Sequence, residues 1–169
     1  MKNTGYDNHE QVIKKMAAGY RSDSEGGHLI NGPYVDPFVF SGSGAMYSTV
    51  EDLYIWERSL YTERLVSSDS LKKIFTPYKG NYGYGWFVGS ENGKNLALHR
   101  GKISGFTGQL SRYLDDEICI IVLSNFEYAP VIAIGKRLAA IVYGEDVKSV
   151  IAEHIMGEHS VMPLGIRLH

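Results

Sequence analysis

The residues of this chain that could do chemistry by type and spacing are few. They are His99 in the run His99-Arg100-Gly101-Lys102, a serine and a lysine at Ser70 and Lys73, the Gly-x-Gly of Tyr82-Gly83-Tyr84-Gly85-Trp86, the pair His154 and His159, and Cys119. Most have a plain structural reading. Cys119 is the only cysteine and lies in Ile118-Cys119-Ile120-Ile121-Val122-Leu123, where a thiol acts as a small buried hydrophobe and no intramolecular disulfide can form. His154 and His159, flanked by Glu153 and Glu158, are five apart, whereas helical pairs that converge on zinc are three or four apart. They read as a solvated face, and neither a metal nor a cofactor is expected. The Gly-x-Gly lacks the third glycine of a dinucleotide turn and reads as a strand with aromatics on one face and glycines making room. Ser70 closes a cap cluster, Ser67-Ser68-Asp69-Ser70, at the start of a short helix. His99 taken alone is a half-buried strand histidine satisfied by a neighbour, so its meaning rests on what surrounds it.

The elements that must position these residues follow from pattern. Residues 1–47 are rich in Gly, Asn, Asp and Tyr without a sustained period and read as loop with short extended pieces. Ser48, with Glu51 three residues on, reads as a capping box. The helix after it turns Val50, Leu53, Trp56 and Leu60 to one face. The second cap cluster opens a helix carrying Leu71, Ile74 and Phe75, which Pro77 ends. Strands are expected over residues 82–88, 96–99, 106–113 and 118–124, the last two joined as an antiparallel hairpin at Asp115-Asp116. Residues 118–124 are apolar on both faces, the pattern of a strand inside a sheet covered on both sides by helices. One such helix spans residues 130–143, with Ile132, Ile134, Leu138, Ala139 and Ile141 inward, and ends at Gly144. The fold class is therefore α+β, an antiparallel sheet flanked by helices. A domain over residues 1–144 is followed by a helical extension or tail, 145–169, with Val147, Val150, Ile151 and Ile155 in an amphipathic pattern.

Bulk properties exclude several functions. The chain has 169 residues, enough for one domain with a core that needs neither disulfides nor metal. Its 17 basic and 19 acidic residues are interspersed, with no Lys/Arg run longer than two, which argues against nucleic acid and anionic membranes as partners. No stretch approaches the roughly 20 apolar residues of a membrane helix. Met1-Lys2-Asn3-Thr4-Gly5 lacks the apolar core of a signal peptide. Location then turns on the sequence upstream: cell envelope or secreted if a signal precedes Met1, cytoplasmic otherwise.

Several separated runs occur together in an order that resembles the serine β-lactamase-like family, which includes class C β-lactamases, penicillin-binding D-alanyl-D-alanine carboxypeptidases and related esterases. They are Met1 to Gly5, Ala18-Gly19-Tyr20, Gly42-Ser43-Gly44-Ala45-Met46-Tyr47-Ser48-Thr49-Val50-Glu51-Asp52-Leu53, Tyr82 to Trp86, His99 to Thr107, and Val122-Leu123-Ser124-Asn125. Each is weak alone; the ordered set over residues 1–143 is specific. The resemblance implies the C-terminal part of the β-lactamase/transpeptidase-like fold. It makes His99-Arg100-Gly101 the family's third active-site motif, a Lys or His, any residue, then Gly. His99 would face the nucleophile, polarising the site and holding a substrate carboxylate. Gly101 would let substrate backbone approach the strand, and the Lys102 N–H would be an oxyanion-hole donor. Arg100 replaces the smaller residue usual there and could pair with a carboxylate. The implied substrate is a β-lactam or D-Ala-D-Ala-like peptide.

The family's nucleophile motif Ser-x-x-Lys and its Tyr-x-Asn lie upstream of the segment matching Met1 to Gly5. Ser70-Leu71-Lys72-Lys73 and Tyr6-Asp7-Asn8 satisfy these patterns, but out of place, as a helix cap and a turn. The expectation is thus a C-terminal fragment (a truncated product, an isolated domain or half of a split protein) that is inactive alone. A non-catalytic module binding peptidoglycan peptides or another small ligand on an aromatic-rich wall is the alternative, and a structural or assembly piece is a third reading. In the family, N-terminal strands pair with the strand at 118–123. Without them its edge is expected to recruit a second copy into a homodimer or aggregate, or to be covered by the chain's own termini.

Overall fold

The computed structural model describes residues 1–8, 10–24 and 27–147. In chain order the elements are β1 (Gly5–Tyr6), β2 (Tyr20–Ser22), β3 (Leu29–Asn31), a 3-10 turn at Pro37–Phe40, β4 (Met46–Tyr47), α1 (Val50–Ser59), α2 (Ser68–Ile74), β5 (Phe87–Glu91), β6 (Lys94–Ile103), β7 (Phe106–Tyr113), β8 (Ile118–Ser124) and α3 (Val131–Tyr143). β5 to β8 form an antiparallel meander in the order β5-β6-β7-β8, while β1 pairs with β4 and β2 with β3 as small ribbons. The architecture is α+β, as expected, with β7 and β8 at the residues read from the sequence.

Helices cover both faces of the four-stranded sheet. On one face Leu60, Trp86, Ala97 and Leu110 are buried together, with Leu53, Trp56, Leu71, Ile74 and Phe75 of the α1 and α2 region packed against them. Trp56 and Trp86 stack there, centroids 6.0 Å apart. On the other face Leu96, Tyr113 and Ile120 are buried with Ala139 of α3. Full burial of a side chain of this size contributes about 1.5–3 kcal/mol, so the two clusters fix the sheet between its layers. Cys119 packs against the first cluster, and burial pushes its thiol up to about 12, which leaves it an unreactive hydrophobe.

The structure corrects several expectations. The cap of α1 is Thr49, whose hydroxyl accepts the Asp52 N–H at 3.2 Å; the Ser48 hydroxyl instead meets the Thr4 hydroxyl at 2.7 Å. Val50 is exposed, whereas Glu57 of the same helix is buried. On α3 the sheet-facing residues are Val131, Gly135, Ala139 and Ala140, and Leu138 and Ile141 are exposed. Small residues let this helix lie close to the strands: a Cβ on Gly135 would sit 2.9 Å from Gln109 Nε2. β6 runs well beyond the expected 96–99, and the strand expected at 82–88 begins only at Phe87. β8 is covered on both faces but ends the sheet order, so among the described residues it is an edge and not an interior strand. His154, His159 and the residues 148–169 of the C-terminal segment lie outside the described residues.

Candidate functional site

β6 is paired on both sides for only half its length. β5 accompanies it from Glu91↔Lys94 to Phe87↔Leu98 and then stops, while β7 continues to Ile103↔Phe106. Among the described residues the outer edge of β6 from His99 to Ile103 therefore has no strand partner, and His99, Arg100, Gly101 and Lys102 are all exposed. The chain leaves the sheet here because of a tight loop before β5, in which the Gly83 N–H donates to the Trp86 carbonyl at 2.8 Å and the Tyr84 N–H to the Ile74 carbonyl at 3.1 Å. Gly83 has no room for a Cβ, which would strike the Ile74 carbonyl oxygen. The Tyr82 to Trp86 run is thus a loop pinned to the end of α2, not the strand its aromatics suggested.

Each candidate residue has a distinct setting on this edge. His99 Nε2 lies 2.9 Å from the Tyr82 hydroxyl, and the Phe87 ring stacks against the imidazole at 5.8 Å. Gly101, two residues on and so projecting from the same face, has nothing within 4 Å of where a Cβ would stand. The Arg100 side chain makes no hydrogen bond or ion pair among the described residues, while its backbone runs in register with Gln109 of β7. The Lys102 ammonium sits 3.4 Å from a Glu127 carboxylate oxygen and 4.2 Å from the Tyr128 ring centroid, which draws its side chain toward the residues after β8.

The far end of the β6–β7 hairpin is locked by the N-terminal segment. Ser104 and Gly105 both have positive φ, 44° and 89°, as a two-residue hairpin turn requires. A Cβ on Gly105 would come within 2.6 Å of the Gly19 backbone. The Tyr20 N–H donates to the Asn125 carbonyl at 2.8 Å, Asn125 Nδ2 to the Ala18 carbonyl at 2.9 Å, and the Ser104 hydroxyl to the Pro33 carbonyl at 2.6 Å. Gly44 packs against Ile103, and the Asn3 N–H and Thr4 hydroxyl donate to Asp52 at 2.7 and 2.9 Å. Runs far apart in sequence, Ala18 to Tyr20, Gly42 to Leu53, Ser104 to Phe106 and Ser124-Asn125, therefore interlock around one end of the open edge.

The Ser-x-x-Lys match forms part of the α2 cap. The Ser67 hydroxyl accepts the Ser70 N–H at 3.3 Å and donates to the Ser70 hydroxyl at 3.1 Å, while Lys73 is exposed. Tyr6 ends β1, and Asn8 makes a local turn with Glu10 at 3.2 Å. Among the described residues no cluster of three or more His, Cys, Asp or Glu could hold a metal, and no helix is long and apolar enough to cross a membrane. Tyr82 and Phe87 are the site neighbours that sequence reading did not assign to His99; at 17 and 12 residues' distance no local spacing signals them.

An antiparallel sheet layered between helices, with a glycine-bearing strand edge and an N-terminal ribbon locking one end of it, is the arrangement of one part of the β-lactamase-like α+β fold. The Beta-lactamase family model matches residues 1–143, and the chain belongs to that family. It is 30% identical over 93 residues to penicillin-binding protein 4* of Bacillus subtilis, covering 51% of this chain and 21% of that protein. It is 25% identical over 124 residues to the D-aminopeptidase of Brucella ovis, covering 70% and 23%. The octameric penicillin-binding protein homologue from Pyrococcus abyssi superposes with a TM-score of 0.75 at 23% identity, over 88% of this chain and 35% of that one. FmtA from Staphylococcus aureus superposes with 0.61 at 19%, over 92% and 37%. The chain spans less than a quarter of the length of these two curated relatives.

Proposed function

We propose that this chain forms the His-x-Gly wall of the catalytic cleft in a serine hydrolase of the β-lactamase and DD-peptidase kind. The observation that carries this reading is the β6 edge at Gly101, where no contact among the described residues demands a glycine and nothing lies within 4 Å of where a Cβ would stand. A ligand backbone lying along the edge gives that glycine a reason. His99 then supplies a hydrogen-bonding group to the reacting centre, the Lys102 N–H an oxyanion donor, and Arg100, with no partner of its own, a site for a substrate carboxylate. The names of the two relatives, a penicillin-binding protein and a D-aminopeptidase, support a β-lactam or D-amino-acid peptide as the substrate class.

The nucleophile belongs to a Ser-x-x-Lys segment other than Ser70 to Lys73. Donors without an activated serine do not run acyl transfer at an enzymatic rate, so this polypeptide by itself is inactive. Copies of it associate through the open β8 edge. The test is nitrocefin turnover and labelling by a fluorescent penicillin, for the 169-residue chain and for the same chain carrying the Ser-x-x-Lys region of a relative ahead of Met1. The expected result is no adduct on the former and an acyl-serine on the latter, lost when His99 and Gly101 are both replaced. A penicilloyl adduct on Ser70 of the chain alone overturns the reading.

A further inference from the structure

The loop before β5 holds one tyrosine against His99 with unusual completeness. Tyr82 is gripped by its own backbone: its carbonyl accepts the Tyr78 N–H at 2.9 Å, its N–H donates to the Lys79 carbonyl at 3.0 Å, and the Val88 N–H donates to the Asn81 carbonyl at 2.8 Å. Beyond it, Trp86 is buried between Trp56 and Phe75, which anchors the loop's other end in the core. The side chain is confined as well. Tyr82, Phe87 and His99 form a closed set of rings, with Tyr82 edge-on to Phe87 at 4.7 Å and to His99 at 6.0 Å. A hydroxyl so placed, 2.9 Å from Nε2, leaves the imidazole one nitrogen for anything else.

We propose that Tyr82 is a positioning residue that fixes the His99 tautomer, engaging Nε2 so that Nδ1 carries the proton and is the nitrogen offered to a ligand on the β6 edge. A phenol is a good donor and a poor acceptor, because its lone pair is delocalised into the ring. In the neutral imidazole the O–H therefore donates to Nε2 and the proton resides on Nδ1. In the cationic form Nε2–H donates to the phenol oxygen, and Nδ1 still carries its proton. His99 thus presents an N–H donor in both states and is no general base. Its ligand is an acceptor: a carboxylate or a carbonyl oxygen gaining negative charge. Of the other charged groups on this edge, Lys102 leans toward Glu127, and Arg100 adds a second donor for the same kind of ligand. The catalytic meaning of this donor rests on the function proposed above; the tautomer does not.

The test is the long-range proton–nitrogen correlation spectrum of the 15N-labelled 169-residue chain, recorded above the ordinary histidine range of about 6.5. The His99 signals are assigned by their loss in His99→Gln. The expected pattern is a single tautomer with protonated Nδ1 and bare Nε2, which Tyr82→Phe converts to an averaged mixture while keeping the ring contacts. A wild-type ring protonated on Nε2, or a spectrum that Tyr82→Phe leaves unchanged, overturns the proposal. The wild-type spectrum decides even if Tyr82→Phe fails to fold. In the longer, serine-bearing protein, Tyr82→Phe should slow acylation about tenfold and add nothing to His99→Ala. A locked tautomer with acylation indifferent to both changes would retain the lock and remove the hydrolase reading, so the two can fail separately.

Discussion

The strongest perturbation available in this chain is the buried ion pair between α1 and β7. Arg112 and Glu57 are almost wholly buried, with Arg112 Nε 2.8 Å from Glu57 Oε1. Their situations differ. Glu57 has two cations, since Arg58 also reaches it at 2.8 and 3.3 Å from the helix surface. Arg112 has Glu57 as its one anion among the described residues; otherwise the rings of Tyr61 and Phe75 lie 4.5 and 4.6 Å from its guanidinium carbon, and Nη1 has no hydrogen-bond partner. Glu57→Leu strands a buried guanidinium, a change that costs about 3–5 kcal/mol. Arg112→Met removes one charge-assisted hydrogen bond, about 1.5–3 kcal/mol, but also removes the unpartnered nitrogen and leaves Glu57 with Arg58, so its net cost is about 1–2 kcal/mol. Together the two changes should cost less than their sum, because the double variant buries no lone charge. Urea unfolding of the four proteins measures this. Arg112→Met as costly as Glu57→Leu, or strict additivity, would show that Arg58 does not share Glu57 and would refute the reasoning.

Three further outcomes are expected. His99→Ala removes an exposed side chain, so the unfolding midpoint should barely move while acylation of the serine-bearing protein falls about a hundredfold; an unchanged rate returns His99 to a structural role. Burial works against the Asp52 carboxylate, but the Asn3 N–H, the Thr4 hydroxyl and the Lys2 N–H outweigh it and hold the carboxyl below its usual range. Its contribution is then full above about pH 4 and lost as pH falls through the lowered value, so Asp52→Asn should destabilise at pH 7 and the gap to wild type should close in acid urea melts. The chain should sediment as a concentration-dependent dimer or larger species that Leu123→Lys shifts toward monomer; a wild-type monomer at every concentration would count against the β8 edge as an interface. Ile120 of the same strand is buried under α3, and a lysine there would test stability instead.

The β7–β8 hairpin was legible to the residue because its information is local: an apolar run, a polar turn and a second apolar run. The α2 cap and the end of α3 were legible for the same reason. What escaped was set by distance in sequence. Glu57 and Arg112 are types that belong on surfaces, and only pairing across 55 residues lets them be buried. α3 is apolar around most of its circumference, so periodicity could not say which face meets the sheet; the answer lay in Gly135, Ala139 and Ala140, whose small size sets the approach. The motif residues were recognisable as a set, yet their reason for occurring together, the interlocking of Gly19, Gly105 and Asn125, appears only in three dimensions. For His99 the sequence indicated a strand and a glycine two places on, but not Tyr82.

Among the described residues the β6 edge beyond β5 and the outer edge of β8 both lack a strand partner, and their chemistry differs in a way that bears on what each can hold. Along β6, residues 99–102 carry a histidine, an arginine, a glycine and a lysine. Positive charge there discourages another strand from adding permanently, while the glycine leaves room for a small acceptor-bearing ligand to come and go. Along β8, residues 118–123 carry no charge at all. The nearby α3 adds exposed Leu138, Ile141 and Val142, apolar surface that water penalises for as long as it stays uncovered. Exchange requires an edge whose empty state is tolerable in water, which charge gives β6; at β8, unpaired on its outer side among the described residues, apolar side chains favour a strand that stays. The ligand proposed at His99 and the partner proposed at β8 therefore differ in kind, the first exchanging and the second lasting.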